Sequence, residues 1–334
     1  MGKLYDLKID AWVHMLPPKF REALFSWLPS SSYWKWLHHN PAFDLDSVFR
    51  VTDQFEGLTM VLSVGGPPLE TVADSQKAVE FARMANDEAA ELTAKYPAKF
   101  VAAVACLPMN DMDAALKEAE RAIKDLRFRG IQMFTPTAGK PIDSPEFIPL
   151  YEKMCQYDLP IFLHPTRQSD TPDYKNEKES KYLIYHIFGW PYETSAGLTR
   201  LVFSGVMEKF PNLKILAHHN AAMIPFFASR IEEEQYRFQI AKPVYAELKK
   251  APIDYYKRFY SDVEIRTPSA VRCTYDFFGP EHVLFATGMP YGPMDGYCGV
   301  RNSLNCIEQL PISDEEKRLI LCENARKLLR LPIS

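Results

Sequence analysis

The 334-residue chain balances 39 Lys and Arg against 43 Asp and Glu, a formal net charge of -4, with 47% apolar and 25% charged residues. This composition is that of a globular protein, and it supplies no basic surface for nucleic acid or anionic membrane, so small-molecule partners are favoured. No early basic-then-apolar leader, no run of about 18 apolar residues and no paired spacing among the six cysteines is found, so a cytoplasmic location with plain core thiols is expected.

The first apolar run, LKIDAWVHM, predicts a strand. An aromatic, proline-containing insertion over about 16–57 follows it, whose Trp27, Trp34 and Trp36 would form a lid, a subunit contact or a small satellite core. TMVLSV is the second strand, and a helical pattern over 74–95 leads to FVAAVACL. A helix over 112–125, the strand GIQMFT, a helix over 145–157 and the strand PIFLHP come next. A second long connection over about 166–194 and a helix over 195–208 precede KILAHH, RFYSDVEI and VLFATGMP, and a helix over 314–330 ends the series. About eight continuous apolar strands alternating with amphipathic helices predict an α/β fold, a (β/α)8 TIM barrel with an aromatic-rich insertion after strand 1. The runner-up, an open doubly wound sheet, lacks a glycine-rich phosphate turn after the first strand. Without an internal repeat or linker, 1–334 reads as a single domain.

Strand alternation sends Asp10, Trp12 and His14 to one side, the barrel interior. His164 ends the fifth strand, His218 and His219 end the sixth, and Asp262 lies on the seventh. A lone histidine is most often a hydrogen-bonded structural residue. Four imidazoles and a carboxylate at the C-terminal ends of separate barrel strands would instead meet at one mouth, suited to a divalent metal or to proton transfer. Arg167 and Lys140 follow strands five and four and would bind a carboxylate; Tyr174, Tyr182, Tyr192 and Tyr291 could each donate a hydrogen bond, and the sequence does not choose among them. Glu193 reads as a helix-start residue.

KIDAWVHMLPP, IFLHPTR, KILAHHNAAMIPFFASRI and LFATGMPYGP together resemble the amidohydrolase-related branch that includes aminocarboxymuconate-semialdehyde decarboxylase and the resorcylate-type decarboxylases, over nearly the whole chain. In that branch two histidines of strand one, one of strand five and an aspartate of strand eight hold a divalent metal, and a strand-six histidine moves protons. The resemblance puts Trp12, His14, His164 and Gly288 at the ligand positions and His219 at the catalytic one. Indole has no acceptor lone pair and glycine no side chain, so two ligands are missing, and His14 with His164 makes a weak site unless His218, His219 or Asp295 joins them.

The first expectation is therefore a metal-independent lyase, with no cofactor and no metal ligand, performing decarboxylation, hydration or elimination on a small carboxylated aromatic or unsaturated substrate. His219, His164 and His14 would be catalytic, and Trp12, Arg167, Lys140, Asp262 and Tyr192 would bind substrate. The second is a zinc- or manganese-dependent decarboxylase or hydrolase with a replacement ligand. The third is a non-catalytic ligand-binding descendant. The resemblance and the tryptophan-rich insertion add a homo-oligomer, a dimer, as the expected assembly.

Overall fold

A computed structural model describes residues 7–30, 44–239 and 246–332. Seven parallel strands run through it: β1 (Lys8–Met15), β2 (Leu58–Val64), β3 (Phe100–Ala103), β4 (Ile131–Thr135), β5 (Ile161–Pro165), β6 (Ile215–Ala217) and β7 (Tyr260–Ser261). They pair in the orders β1-β2-β3 and β4-β5-β6-β7. A parallel bridge from Ala105 to Ile131 joins the two sheets. On the other side, Ser261 bridges Val283, the Ala11 N–H donates to the Phe285 carbonyl at 2.9 Å, and the His14 N–H donates to the Met289 carbonyl at 2.7 Å. Residues 283–289 thus fill the eighth strand's place and close the expected barrel, although they form no regular ladder.

β1, β2, β4 and β5 are buried at every residue, because one side of each fills the barrel and the other meets helices. Ile9, Trp12, Val61, Phe162 and Leu216 pack inside. Val13, Leu62, Leu163 and Ile215 pack outside, against the helical layer. Burial of each such large side chain contributes about 1.5–3 kcal/mol. The longest helix, Ser75–Lys95, starts where the Asp74 side chain accepts the Lys77 N–H at 2.9 Å, and Asp111 caps Met112–Lys124 in the same way at 3.0 Å. Among the described residues no helix is long and apolar enough to cross a membrane.

One local feature departs from the sequence expectation and a second selects among its alternatives. Asp10 pairs with Met60 but Val13 with Leu62, so β1 holds one extra residue there, a bulge that breaks the alternation. Trp12 and His14 face inward, while the Asp10 carboxyl accepts the Trp12 N–H at 3.3 Å, the Thr287 N–H at 3.0 Å and the Thr287 hydroxyl at 2.5 Å. Asp10 therefore ties β1 to the closing segment. In the insertion, the helix Pro18–Trp27 lays Phe20 and Leu24 against Phe81, Ala82 and Ala85 of Ser75–Lys95, forming a satellite core. Trp27 sits at its edge, its indole N–H on the Val72 carbonyl at 3.2 Å; Trp34 and Trp36 lie outside the described residues.

Candidate active site

The C-terminal ends of the strands surround a cavity of about 290 Å³. His14, His164, His218 and His219 line it, with Phe134 and Trp190 as aromatic walls. Its volume suits a molecule with one ring.

β6 ends at Ala217, and the four residues 219–222 all take positive φ, from 52° to 58°. Each such residue costs about 1–2 kcal/mol outside glycine, so the turn persists only because its surroundings hold it. Asp262 supplies that hold: its carboxyl accepts the N–H groups of His219 at 3.2 Å, Asn220 at 2.8 Å and Glu264 at 3.2 Å, and it also pairs with His218 Nδ1. Asn220 adds a bond from its Nδ2 to Thr274 Oγ1 at 3.0 Å and accepts the Ile265 N–H at 2.6 Å. Alternation would turn only one of the two adjacent histidines inward, and the resemblance favoured His219. The left-handed turn instead brings both His218 and His219 to the cavity.

His14, His164 and His218 each present a nitrogen, and the three atoms lie within 4.8 Å of one another. The Nδ1 of His164 faces the Pro165 carbonyl at 2.6 Å and that of His218 faces Asp262, so both carry their protons there and turn the Nε2 lone pair inward. His14 Nε2 stands 3.3 Å from His218 Nε2. Burial holds all four imidazoles well below the usual histidine range, with neighbouring histidines pushing the same way, so neutral rings with free lone pairs prevail. Converging neutral imidazoles with ordered outer partners are the donor set of a catalytic divalent-metal site, and the residues present fit such an ion.

Burial raises the Asp262 carboxyl to about 7 against the backbone N–H groups that lower it, and raises Glu264 to about 7 against the nearby Arg266 charge. Glu264 faces the cavity, its Oε1 paired with Arg266 at 2.7 Å and its Oε2 4.0 Å from His219 Nε2.

The residues assigned to substrate from sequence fall elsewhere. Trp12 is fully buried beneath the cavity, stacked on the His218 ring with centroids 4.4 Å apart, where it supports an imidazole. Asp262 is fully buried and orients His218 from behind. Lys140 is exposed and paired with Glu146 at 2.9 Å. Arg167 pairs with Glu193 at 3.3 Å and packs against Gly189, outside the cavity lining. Tyr192 is exposed and borders a different groove. Arg167 is turned by a partner 26 residues away and Lys140 by a nearby acid, pairings that strand alternation does not reach, whereas Trp12 faces inward as alternation expects but lies too deep to touch a ligand.

Glu264, His186, Trp190 and Phe134 line the cavity without having been singled out. For Glu264 a signal existed, two residues beyond Asp262. His186 and Trp190 stand four apart in the long 166–194 connection, with ring centroids at 4.1 Å.

The "Amidohydrolase" family profile matches residues 9–331. Gamma-resorcylate decarboxylase of Polaromonas sp. is 30% identical over 299 residues, 86% of this chain and 87% of that one. The structure of a dihydroxybenzoic acid decarboxylase from Polaromonas sp. JS666, with bound manganese and the inhibitor 2-nitroresorcinol, superposes with a TM-score of 0.81 at 26% identity, over 99% of this chain and 98% of that one. A 2,6-dihydroxybenzoate decarboxylase complexed with 2,6-dihydroxybenzoate gives 0.81 at 26% identity, over 98% and 100%. The expected lyase class agrees with these relatives. The expectation of a metal-independent site without a cofactor does not stand: the three gathered imidazoles and the manganese bound by the Polaromonas enzyme overturn it. It failed because two substituted ligand positions were weighed as losses, whereas His218, one of the replacements the sequence allowed beside His219 and Asp295, joins His14 and His164. From its barrel, its matched span and these relatives, the chain belongs to the amidohydrolase family, on its decarboxylase branch.

Proposed function

We propose that this protein is a divalent-metal-dependent decarboxylase of a small hydroxylated aromatic carboxylate, built as one barrel domain over 1–334. The observation that carries the reading is the convergence of three imidazole lone pairs at an aromatic-walled cavity of one-ring size. His14, His164 and His218 would hold a manganese or zinc ion. When bound, such an ion supplies Lewis-acid polarisation of a coordinated oxygen.

The chain's own residues do the rest. Phe134 and Trp190 confine the ring and exclude water. His219, held in its turn by Asp262, delivers a proton to the ring carbon that bears the carboxylate. The electron pair of the breaking carbon–carbon bond returns to the ring, and carbon dioxide leaves. Burial keeps the free His219 imidazole neutral, so the proton it delivers is first taken up from the substrate's hydroxyl group or from water, and the lowered basicity makes the resulting imidazolium a strong acid. Asp262 and Trp12 position His218 from behind and below.

Two finer readings join the proposal, a cytoplasmic location and a homodimer. Exposed Ile187, Phe188, Tyr192 and Phe226 support an apolar contact between copies.

Carbon dioxide release from 2,6-dihydroxybenzoate and other ortho-hydroxybenzoates by protein loaded with one manganese or zinc ion tests the function. Turnover is expected. Absence of turnover across that series, with the ion confirmed in place, removes the proposal. Changing His219→Asn is expected to lower kcat at least about 100-fold with metal content unchanged. Changing Lys140→Ala is expected to leave kcat/KM within about twofold, because an exposed ion pair with Glu146 contributes little.

A further inference from the structure

We propose that Glu264 is a fourth ligand of the metal centre, occupying the role that a side chain at position 288 cannot fill. The inference rests on the metal-dependent reading above.

Gly288 has φ +62°, and a Cβ placed on it would lie 3.3 Å from Glu264 Cγ and 3.4 Å from His218 Nε2. Both approaches are tighter than a side chain at 288 ordinarily tolerates, so the glycine lets Glu264 and the nitrogen that His218 turns toward the ion close in on the same spot.

The rest of Glu264's surroundings fit a ligand. Arg266 anchors Oε1 at 2.7 Å, and Oε2 lies 4.0 Å from the Nε2 of His219, which lines the cavity. Arg266 is itself fixed, donating to the Thr287 carbonyl and lying against Gly299, where a Cβ would approach the guanidinium to 3.2 Å. A ligating carboxylate commonly has one such outer hydrogen-bonding partner that sets its direction. The backbone couples the two acids, since the Glu264 N–H donates to Asp262 Oδ1 at 3.2 Å. Asp262 thereby orients an imidazole from behind while Glu264 offers an oxygen from the side.

Charge points the same way. Three neutral imidazoles leave both charges of a divalent ion uncompensated in a buried site, and a carboxylate offsets one of them. Three histidines and one carboxylate also complete four-coordination with side chains alone, and manganese accepts further oxygen ligands from a substrate. The Glu264 carboxylate lines the same cavity as the imidazole trio, outside the 4.8 Å cluster of their nitrogens, so ligation requires a side-chain rotation toward them.

The test uses the full chain, stripped of metal and titrated with manganese or zinc by calorimetry, and cobalt-loaded protein for its visible absorption. Wild-type protein is expected to take up one ion. Glu264→Gln is expected to weaken binding at least tenfold and to change the cobalt band, while the unfolding temperature of the metal-free form stays put. Adding Gly288→Asp to Glu264→Gln is expected to recover part of the affinity. Should Glu264→Gln fail to fold, Glu264→Asp, which shortens the reach by one carbon, carries the same readouts. Affinity within threefold of wild type, or an unchanged cobalt spectrum, overturns the assignment of Glu264 and leaves the metal-dependent function intact. A wild-type chain that takes up no ion removes both.

Discussion

Stripping the protein with a chelator is expected to abolish the proposed decarboxylation, and one equivalent of manganese or zinc to restore it. The expected loss is about a thousandfold or more, the rate equivalent of the several kcal/mol that Lewis-acid stabilisation supplies. His14→Ala, His164→Ala and His218→Ala share that loss, since each removes one of three nitrogens gathered within 4.8 Å. A second readout is independent of turnover. An ion that binds the folded chain alone raises its apparent stability by about 4 kcal/mol at a thousandfold excess over Kd, and the three alanine variants lose that increment. Full turnover in a protein shown by elemental analysis to be metal-free would falsify the metal requirement.

Asp262→Ala is expected to cost about 3–5 kcal/mol of folding stability in urea denaturation, the penalty of removing one partner from a buried polar network. The carboxyl is fully buried and serves four donors: His218 Nδ1 and the N–H groups of His219, Asn220 and Glu264. Three of those N–H groups belong to the left-handed turn or to the strand end that carries Glu264, so the cavity loses its shape as well as a contact. Asp262→Asn separates the two roles. The amide keeps an acceptor oxygen for the backbone and presents N–H to His218, which reverses the ring's preferred tautomer and turns its lone pair away from the ion. Metal affinity is then expected to fall about 10–100-fold with a smaller loss of stability. Unchanged affinity in the Asn variant would show that Asp262 only braces the turn.

Sequence alone determined the barrel and the general location of its chemistry. Alternating apolar strands and amphipathic helices carry that information locally, because each strand buried on both faces must be continuously apolar and each helix must hide one stripe. His14 and His164 were legible for the same reason, as polar residues at the C-terminal ends of such strands. Their company was decided only in three dimensions. Period-two reasoning holds while the backbone stays extended, and it fails at the β1 bulge, which turns Asp10 toward Thr287, and in the left-handed turn, which admits both His218 and His219. Lys140 and Arg167 lie on connections whose side chains are held by ion pairs with Glu146 and Glu193, and Tyr192 sits exposed in the first turn of the helix Trp190–Phe203. Trp12 and Gly288 looked like a dismantled metal site because both were read against ligand positions without the spatial neighbours that the fold gives them. Closing the barrel brings residues hundreds of positions apart into contact, so Trp12 supports His218 from below and Gly288 admits the close approach of Glu264 and His218.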